Sequence, residues 1–477
     1  MSLKPVSRPA PADDLVARLA AIVGAEHVIA DPALMAAYLR EPRNLYHGHA
    51  RAVVRPGSTA EVAAVVALCH RTETKIVPQG GNTGLVGGQT PFEAGDEIVL
   101  SLTRLNRLRE IDVLSNTIIV EAGMTLKDMR AAAEAAGRIF PLALNAAPAC
   151  TIGGNLATNA GGSAAIAYGV ARDLVLGLEV VLADGRVLDD LSKLKKNNTG
   201  YDLKNLFIGS EGTLGIITAA VLKLFPKPQA TVTALVGLSD LDCALRLLGL
   251  AQEQVETDLK TFELLPRIAF DFVLKHDATA ADPLAAPHAF YALLEFASQS
   301  PSLADRIEAL LEAASARAII AEAKIGLAPA ARKALWHIRL KIPDVQVHEG
   351  GSIKHDISVP ISAVPAFLRE VEAAVTARIP GARLVAFGHL GDGNIHCNVS
   401  QPVGADKAAF LARWDEVNAL VHGIVAKYHG AISAEHGIGR LKRDLLPGVK
   451  DRVALDLMRT LKTTLDPKNI LNPGKVV

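Results

Sequence analysis

Apolar and polar positions along the first half of the chain alternate between helical and strand-like spacing. Residues 11–48 show short amphipathic helical stretches, and residues 61–70 place their apolar side chains on one helical face. Residues 75–78 form a short apolar run that enters a glycine-rich loop, as expected of a strand. Further strands are predicted at 97–101, 117–120, 174–182 and 213–224, and a helix at 125–137. This alternation indicates α+β or α/β layering.

The second half of the chain repeats strand and helix patterns in turn. The run Lys-Leu-Phe-Pro-Lys-Pro at 223–228 interrupts the pattern and predicts a domain boundary. Beyond it, strands are predicted at 230–237, 289–296, 352–360 and 383–389, and helices at 241–254, 302–314 and 364–379. We expect an antiparallel sheet with helices on one face. Residues 455–477 are expected to form a helix followed by a proline-containing tail.

Composition and charge narrow the class of protein. The chain has 477 residues, of which 50% are hydrophobic and 21% charged, so it can form two or more domains. Basic and acidic residues are equal at 50 each, which argues against nucleic acid or an anionic membrane as the main partner. Four scattered cysteines without a CxxC pair indicate neither a disulfide framework nor a thiolate zinc site. Without a long apolar run or a hydrophobic leader, a cytoplasmic protein with no transmembrane segment is expected.

The most informative chemistry lies in a predicted hairpin near residue 390. Asp392 and Gly393 between two apolar runs predict a two-residue type I′ turn, which needs positive φ at both positions. That turn would place His389 directly opposite His396. Opposed residues have Cβ atoms about 4.5–5.5 Å apart, so the two imidazoles could share one metal ion. Asn398 lies two residues beyond His396 and is expected on the same face.

The run Ala-Glu-His-Gly-Ile-Gly at 434–439 offers a third ligand in Glu435, with His436 beside it as a free base. Three protein ligands leave a coordination position for substrate, as in catalytic zinc sites. The alternative is a surface hairpin with two incidental histidines. The metal site is favoured because the opposed histidines, the turn signal and the Glu-His pair would all have to coincide.

Three glycine-rich tracts lie in the first half, at 78–88, 148–162 and 209–218. Glycine clusters let backbone N–H groups turn inward and approach phosphate oxygens closely. The first tract is neither a GxGxxG fingerprint nor a Walker loop. Each tract alone is equally consistent with an ordinary turn. Three of them in one half of the chain indicate an extended, phosphate-bearing cofactor.

By order and spacing, these tracts resemble the flavin-binding domain of the vanillyl-alcohol oxidase / para-cresol methylhydroxylase type over residues 45–225. The motifs around His389, His396 and Glu435, and the closing tail at 466–475, resemble the FAD-linked D-2-hydroxyacid dehydrogenases. The resemblance spans nearly the whole chain and implies a two-domain α+β flavoprotein with an antiparallel-sheet substrate (cap) domain. It implies a helical segment at 1–44, an FAD domain at 45–225, a cap domain at 226–427, and a segment at 428–477 that completes the active site and FAD domain.

The resemblance also implies the cofactors and the roles of site residues. A divalent metal, expected to be zinc, would be held by His389, His396 and Glu435. His436 would be the catalytic base and contact the substrate, together with Asn398. Some relatives link the flavin covalently through a His or Cys in the first loop, where this chain has Asn82, so non-covalent FAD is expected. The residues expected to bind FAD are Pro78, Gly80, Gly81, Asn82, Thr83, Gly84, Leu85, Pro148, Thr151, Ile152, Gly153, Gly154, Ala157, Thr158, Asn159, Gly161, Gly162, Glu211, Gly212, Gly215, Ile216, Ile217 and Asn472.

The expected substrate depends on Arg339 and Lys354. Their segments resemble the D-2-hydroxyglutarate branch, in which Arg and Lys engage the distal carboxylate. A guanidinium and an ammonium suit a dicarboxylate, because each charge-assisted pair orients one anionic end. The alternative is that Arg339 and Lys354 are surface charges. Pro343 stands where this branch often has Thr, so D-malate, D-lactate or glycolate remain alternative substrates of the same family.

The implied reaction is oxidation of a D-2-hydroxyacid to the 2-oxoacid with reduction of FAD. A metallohydrolase using the same metal cluster is an alternative, but it leaves the glycine tracts unexplained. A nucleotide-binding module with a structural metal leaves the free base unexplained. The sequence does not choose among an electron-transfer flavoprotein, a quinone and a cytochrome as electron acceptor. It leaves the oligomeric state open, with a homodimer as one option.

Overall fold

The computed structural model describes residues 12–255 and 257–477, so the first part of the predicted N-terminal segment at 1–44 lies outside the described residues. The α-helices are α1 (Ala12–Val23), α2 (Pro32–Met35), α3 (Thr59–Thr72), α4 (Leu126–Ala135), α5 (Ile152–Ala157), α6 (Ala165–Tyr168), α7 (Lys204–Phe207), α8 (Leu241–Val255), α9 (Arg267–His276), α10 (Leu303–Ala316), α11 (Pro329–Val345), α12 (Val364–Arg378), α13 (Lys407–Leu411), α14 (Trp414–Lys427), α15 (Leu446–Val449) and α16 (Arg452–Leu465). Among the described residues, none of these helices combines the length and apolar character that crossing a bilayer requires.

The strands belong to four sheets. They are β1 (Val28–Ile29), β2 (Val53–Val54), β3 (Lys75–Gln79), β4 (Glu97–Ser101), β5 (Leu108–Asp112), β6 (Thr117–Glu121), β7 (Arg138–Ile139), β8 (Val175–Val181), β9 (Val187–Asp190), β10 (Ile216–Lys223), β11 (Phe225–Pro226), β12 (Ala230–Leu238), β13 (Leu259–Pro266), β14 (Phe290–Ser298), β15 (Glu322–Gly326), β16 (Ser352–Ile353), β17 (Asp356–Ser358), β18 (Arg383–His389) and β19 (Asn394–Ser400). Short 3₁₀ turns lie at Ala25–His27, Ala36–Tyr38, Ala171–Leu174, Gln346–Glu349, Ile361–Ala363 and Arg443–Leu445.

Two sheets and a two-stranded ribbon of β7 and β11 form the part of the molecule that carries the glycine tracts. The first sheet has the order β1-β2-β4-β3, with β4 parallel to both β2 and β3. The second is antiparallel, in the order β5-β6-β10-β8-β9. The C-terminal tail returns to the first sheet, where Leu471 pairs with Ile76 and both Ile470 and Leu471 enter the core. The tail therefore contributes to this part of the fold, although it is far from it in sequence.

The second half forms one antiparallel sheet in the order β15-β12-β14-β13-β18-β19-β16, with β17 also paired to β19. Successive residues of β12 face different cores: Ala234 and Val236 join α8, α10, α12 and α14, whereas Leu235 joins α9 and α11. Helices cover both faces, so the expectation of helices on one face is wrong. Apolar residues on both sides of these strands require cover on both sides.

The predicted elements of this half otherwise agree closely with the structure, and the strand predicted at 383–389 coincides with β18. The strand predicted at 352–360 is instead divided into β16 and β17. Both pieces pair with β19 in one continuous register, from Ser352 opposite Ser400 to Asp356 opposite His396. Lys354 lies in the gap between them, close to Asn398 in register.

The hairpin between β18 and β19 has a four-residue loop at 390–393 instead of the predicted two-residue turn. His389 pairs with Asn394, so the predicted direct opposition of His389 and His396 is wrong. Of the two predicted turn residues, only Gly393 has a positive φ, 81°. The register differs from the prediction by two residues, and a two-residue shift keeps every side chain on its original face. Both histidines therefore remain on the same side of the sheet.

The cause of the longer loop is its contact with the neighbouring strand. The N–H of Gly391 donates to the carbonyl of Phe262 in β13 at 3.1 Å. A Cβ on Gly391 would lie 2.7 Å from the terminal methyl of Ile166 and 3.3 Å from Cβ of Phe262, so a larger residue here would require both neighbours to shift. Asp392 then accepts the N–H of Asn394 at 2.9 Å, which closes the loop. These tertiary contacts override the local turn signal.

Candidate active site

One cavity of about 580 Å³ joins the glycine tracts to the predicted metal cluster. Of the residues expected to bind FAD, Pro148, Ile152, Asn159 and Asn472 lie outside its wall and the others line it. Ile152 packs in the core, and the Asn159 side chain accepts the N–H of Arg172 at 2.9 Å. The Asn472 amide donates to the carbonyls of Gly88 and Glu211, so it positions two glycine tracts without lining the cavity. His389, His396, Asn398, Glu435 and His436 all line the same cavity.

The first glycine tract presents unused backbone donors to this cavity. The N–H groups of residues 81–85 donate to no acceptor among the described residues. Asn82 has a positive φ of 53°, and successive inward N–H groups of this kind bind anionic oxygens. The Asn155 side-chain nitrogen in the second tract is likewise buried without an acceptor in the described chain. These donors fit the phosphates and polar edges of a dinucleotide such as FAD.

His389, His396 and Glu435 converge as predicted, with one potential ligand atom of each lying within 4.8 Å of the others. His396 Nε2 is 3.6 Å from Glu435 Oε1, and the two imidazole centroids are 5.7 Å apart. Two imidazoles and one carboxylate are the donor set of many catalytic zinc sites. Burial lowers the pKa of His396 and raises the pKa of Glu435. Burial thus disfavours the charged form of each, and a cation would offset the cost for Glu435.

Glu263 in β13 orients His389, a role that the sequence did not predict. Its carboxylate is fully buried and accepts from Nδ1 of His389 and from Nε of Arg339, the latter at 2.5 Å. Burial alone would raise the pKa of Glu263, but Arg339 and His389 outweigh it and lower the pKa to about 2. Glu263 raises the pKa of His389 to about 9 against the effect of burial, so a metal ion could bind its Nε2 only by displacing a proton. The signal was one acidic residue within the apolar run 259–266.

Asp356 in β17 organises the Glu435–His436 pair and was also missed. Its Oδ2 accepts the N–H groups of Glu435 at 3.1 Å and His436 at 2.8 Å. Nδ1 of His436 lies 3.3 Å from the same oxygen. Burial lowers the pKa of His436 below its usual range, and the carboxylate opposes this only in part. At neutral pH His436 therefore presents an unprotonated nitrogen, as a base requires.

Glu211 holds the other end of this segment against the third glycine tract. Its carboxylate accepts the N–H groups of Ile438 at 2.6 Å and Gly439 at 2.9 Å. The segment also packs against the first glycine tract. A Cβ on Gly439 would lie 2.3 Å from the Val86 carbonyl oxygen, so the close approach of residue 439 to Val86 requires glycine. Burial raises the pKa of Glu211 to about 7 despite these two donors. The segment is thus fixed by Asp356 in β17 and by Glu211 in the loop before β10.

The residues predicted to select the substrate also lie at this cavity. Arg339 is nearly buried, with its guanidinium 5.0 Å from the Phe387 ring centroid, and Pro343 lines the wall one turn further along α11. Lys354 lines the cavity, and burial lowers its pKa. The Asn398 amide donates to Gln346 at 2.8 Å, which leaves its oxygen available.

Two family profiles match the chain. The FAD linked oxidases, C-terminal domain, match residues 227–476 and the FAD binding domain matches residues 50–190. The D-2-hydroxyglutarate dehydrogenase of Xanthomonas citri pv. viticola is 37% identical over 464 residues, which cover 97% of this chain and 97% of that protein. The mitochondrial D-2-hydroxyglutarate dehydrogenase of Bos taurus is 37% identical over 472 residues, covering 98% of this chain and 83% of that protein.

Solved structures show the same fold at low sequence identity. An alkyldihydroxyacetonephosphate synthase superposes with a TM-score of 0.74 at 20% identity, covering 98% of this chain and 86% of that chain. A p-cresol methylhydroxylase with substrate bound has a TM-score of 0.75 at 16% identity, covering 97% and 96%. These likenesses confirm the predicted two-domain α+β flavoprotein fold.

Proposed function

The chain belongs to the FAD-linked oxidases, and we propose that it oxidises a D-2-hydroxyacid, D-2-hydroxyglutarate above all, to the 2-oxoacid. The observation that carries this proposal is the single cavity in which the glycine tracts meet His389, His396, Glu435 and His436. The identity to D-2-hydroxyglutarate dehydrogenases over nearly the full length supports the choice of substrate. A metallohydrolase is disfavoured because it has no use for an FAD-binding domain.

Two bound groups are part of the proposal. The N–H groups of residues 81–85 and the Asn155 amide would hold FAD, which supplies the acceptor for two electrons and the C2 hydrogen of the substrate. His389, His396 and Glu435 would hold a divalent ion, for which zinc fits the donor set, and the ion supplies a Lewis acid for the substrate oxygens. The Asn82 side chain donates to two backbone carbonyls, which is consistent with non-covalent FAD.

His436 is proposed to take the proton of the substrate hydroxyl. Its Nδ1 faces Asp356, so Nε2 is the nitrogen that accepts the proton. Asp356 orients the ring and stabilises the imidazolium that results. Asn398 is placed to hold a substrate oxygen, and Arg339 and Lys354 to attract the distal carboxylate. Loss of the proton to His436 accompanies loss of the C2 hydrogen with its electron pair, which leaves the carbonyl of the 2-oxoacid.

A substrate screen tests the reaction and the substrate together. FAD-loaded protein is mixed anaerobically with D-2-hydroxyglutarate, D-malate, D-lactate, glycolate and L-2-hydroxyglutarate, and bleaching of the flavin absorbance is followed. We expect D-2-hydroxyglutarate to give the highest second-order rate constant for flavin reduction and the L-enantiomer to be inert. A preference for D-lactate would overturn the dicarboxylate assignment, and no bleaching by any hydroxyacid would overturn the reaction.

Metal removal tests the proposed ion separately. Chelation should abolish turnover while the flavin stays bound, and His396→Ala should do the same. His337→Ala is a matched control, because His337 pairs with Asp277 and lies outside the cavity. Full activity of metal-depleted protein would exclude the metal from the mechanism.

The electron acceptor, the oligomeric state and the compartment stay predictions. We propose an electron-transfer flavoprotein or a quinone as acceptor, to be identified by reoxidation of the reduced enzyme with each candidate. A cytoplasmic location is proposed, although the names of several relatives give a mitochondrial location. Fractionation of the native cells decides between these compartments.

A further inference from the structure

We propose that Arg43, in the segment before β2, is a specificity-determining residue that binds the distal carboxylate of the substrate together with Lys354. The proposal rests on the proposed function, because it assumes a substrate with two carboxylates. Arg43 lines the same cavity as Lys354 and Asp356. Arg43 lies near the start of the chain, whereas Arg339 and Lys354 lie in its second half. The sequence did not predict its role.

A compact turn projects Arg43 from its segment. The buried carboxylate of Glu41 accepts the N–H of Arg43 at 2.7 Å and that of Leu45 at 2.5 Å. Asn44 has a positive φ of 60°, and its N–H donates to the Glu41 carbonyl at 3.0 Å. The Glu41 carboxylate thus uses its oxygens on backbone donors and forms no ion pair with the Arg43 guanidinium within 4.0 Å.

The first glycine tract holds this segment in place. The Asn82 amide donates to the carbonyls of Ala37 and Arg40, at 3.0 and 2.9 Å. The Gln79 amide donates to the carbonyl of Tyr38 at 2.9 Å. These hydrogen bonds connect the loop proposed to hold FAD to the segment that carries Arg43. A side chain placed by so many fixed backbone contacts is suited to bind a ligand in one orientation.

Arg43 and Lys354 form no ion pair and no side-chain hydrogen bond with the described chain, unlike Arg339 and Lys442 at the same cavity. Arg339 is paired with Glu263, and Nζ of Lys442 donates to the carbonyl of Ile432 at 2.7 Å. No acidic oxygen of the described residues lies within 4.0 Å of either cation. Glu41 and Asp356 attract Arg43, and Asp344 attracts Lys354, only from a greater distance. Both side chains are partly buried. Withdrawing a cation from water without a close partner is unfavourable, so two such cations at one cavity are offset best by an anionic ligand.

The arrangement also answers the question raised by Pro343. That residue removes the hydroxyl that the D-2-hydroxyglutarate branch often has at this position, and Arg339 is already committed to Glu263. Arg43 supplies a further guanidinium, which can bind a carboxylate through two parallel hydrogen bonds. Burial lowers the pKa of Lys354, and the charge of Arg43 lowers it further. The two cations are therefore close enough to repel each other. A second carboxylate would relieve this repulsion.

The test compares Arg43→Met, Arg43→Gln and Arg43→Lys with the wild type. Arg40→Met is the matched control, because it removes the same charge from the same segment but lies outside the cavity. For each protein, kcat/KM is measured with D-2-hydroxyglutarate and D-lactate. Dissociation constants for 2-oxoglutarate and pyruvate are measured from perturbation of the flavin absorbance. Flavin content and thermal unfolding establish which variants are folded.

We expect Arg43→Met and Arg43→Gln to lose about 10–100-fold in kcat/KM for D-2-hydroxyglutarate and in affinity for 2-oxoglutarate, the usual range for one charged contact. D-lactate and pyruvate should change little, Arg43→Lys should recover part of the loss, and Arg40→Met should resemble the wild type. Equal losses on both substrates, or none, in a wild type that prefers D-2-hydroxyglutarate would overturn the role of Arg43 alone. A wild type that prefers D-lactate would overturn the dicarboxylate substrate and this inference together.

Discussion

Replacing Glu263 with glutamine should weaken metal binding without altering any metal ligand. The buried carboxylate accepts from two donors, Nδ1 of His389 and Nε of Arg339. A glutamine side chain offers one oxygen and one NH₂ group in the same space. Whichever way the amide turns, one of the two donors then faces another donor. The substitution therefore leaves either the ligand histidine or the arginine without its partner.

The size of the effect follows from these contacts. Loss of the partner that orients a ligand histidine typically costs 10–100-fold in metal affinity, or about 1.4–2.8 kcal/mol. Breaking a buried ion pair typically costs about 3–5 kcal/mol of folding stability, and Glu263 is fully buried in such a pair with Arg339. The amide keeps one hydrogen bond, so we expect the lower end of that range for stability.

Two measurements separate these effects. Titration of metal-depleted protein with zinc against a chromophoric chelator gives the affinity, and denaturant unfolding gives the stability. Glu121→Gln is the matched control, because Glu121 is equally buried and pairs with Arg107 and Arg109. It belongs to the five-stranded sheet and does not line the cavity. It should lose stability and keep zinc affinity. If Glu263→Gln bound zinc as tightly as the wild type, His389 would not be a ligand positioned by Glu263.

Three further predictions follow from the site. His436→Ala should slow anaerobic flavin reduction about 10²–10⁴-fold, as for loss of a general base, and near-normal single-turnover reduction would remove His436 from the mechanism. Acid precipitation should release all the yellow colour, because Asn82 cannot form the bond of a flavin-linking histidine; colour left in the pellet would reveal a link elsewhere. Glu211 has a folded-state pKa of about 7, above the usual 4.5, so the folded protein holds the extra proton and its stability should fall as pH rises between these values. The free energy of unfolding should decrease by about 3 kcal/mol over this pH range, and Glu211→Gln should flatten its dependence on pH. If both proteins lost stability in parallel, the raised pKa of Glu211 would be contradicted.

The sequence predicted the elements well because their apolar periodicity was regular. The strands predicted at 97–101 and 383–389 coincide with β4 and β18. The hairpin register was wrong because contacts with Phe262 and Ile166 decide the loop, and both residues are distant in sequence. The histidines nevertheless converge, since a shift of two residues preserves the face on which each lies.

The partners of the predicted site residues could not be found in the same way. Glu263, Asp356 and Arg43 lie in three separate stretches, and no local pattern connects them to the histidines. Their importance comes from which strands are neighbours: β13 lies beside β18, and β17 beside β19. Spacing along the chain predicts which residues of one strand share a face. It does not predict which strands are neighbours in the sheet. For that reason the convergence of His389, His396 and Glu435 was predictable, and the residues that orient them were not.

The segment from Glu435 to Gly439 has a consequence for how this enzyme can be recombined. Asp356 fixes its first two N–H groups from the eight-stranded sheet, and Glu211 fixes the N–H groups of Ile438 and Gly439 from the third glycine tract. In a chimera that takes the first half of the chain from one parent and the second half from another, Glu211 and Asp356 come from different parents. We expect such a hybrid to be active only if both parents set the same distance between Asp356 and Glu211, so these two anchors limit the choice of crossover point.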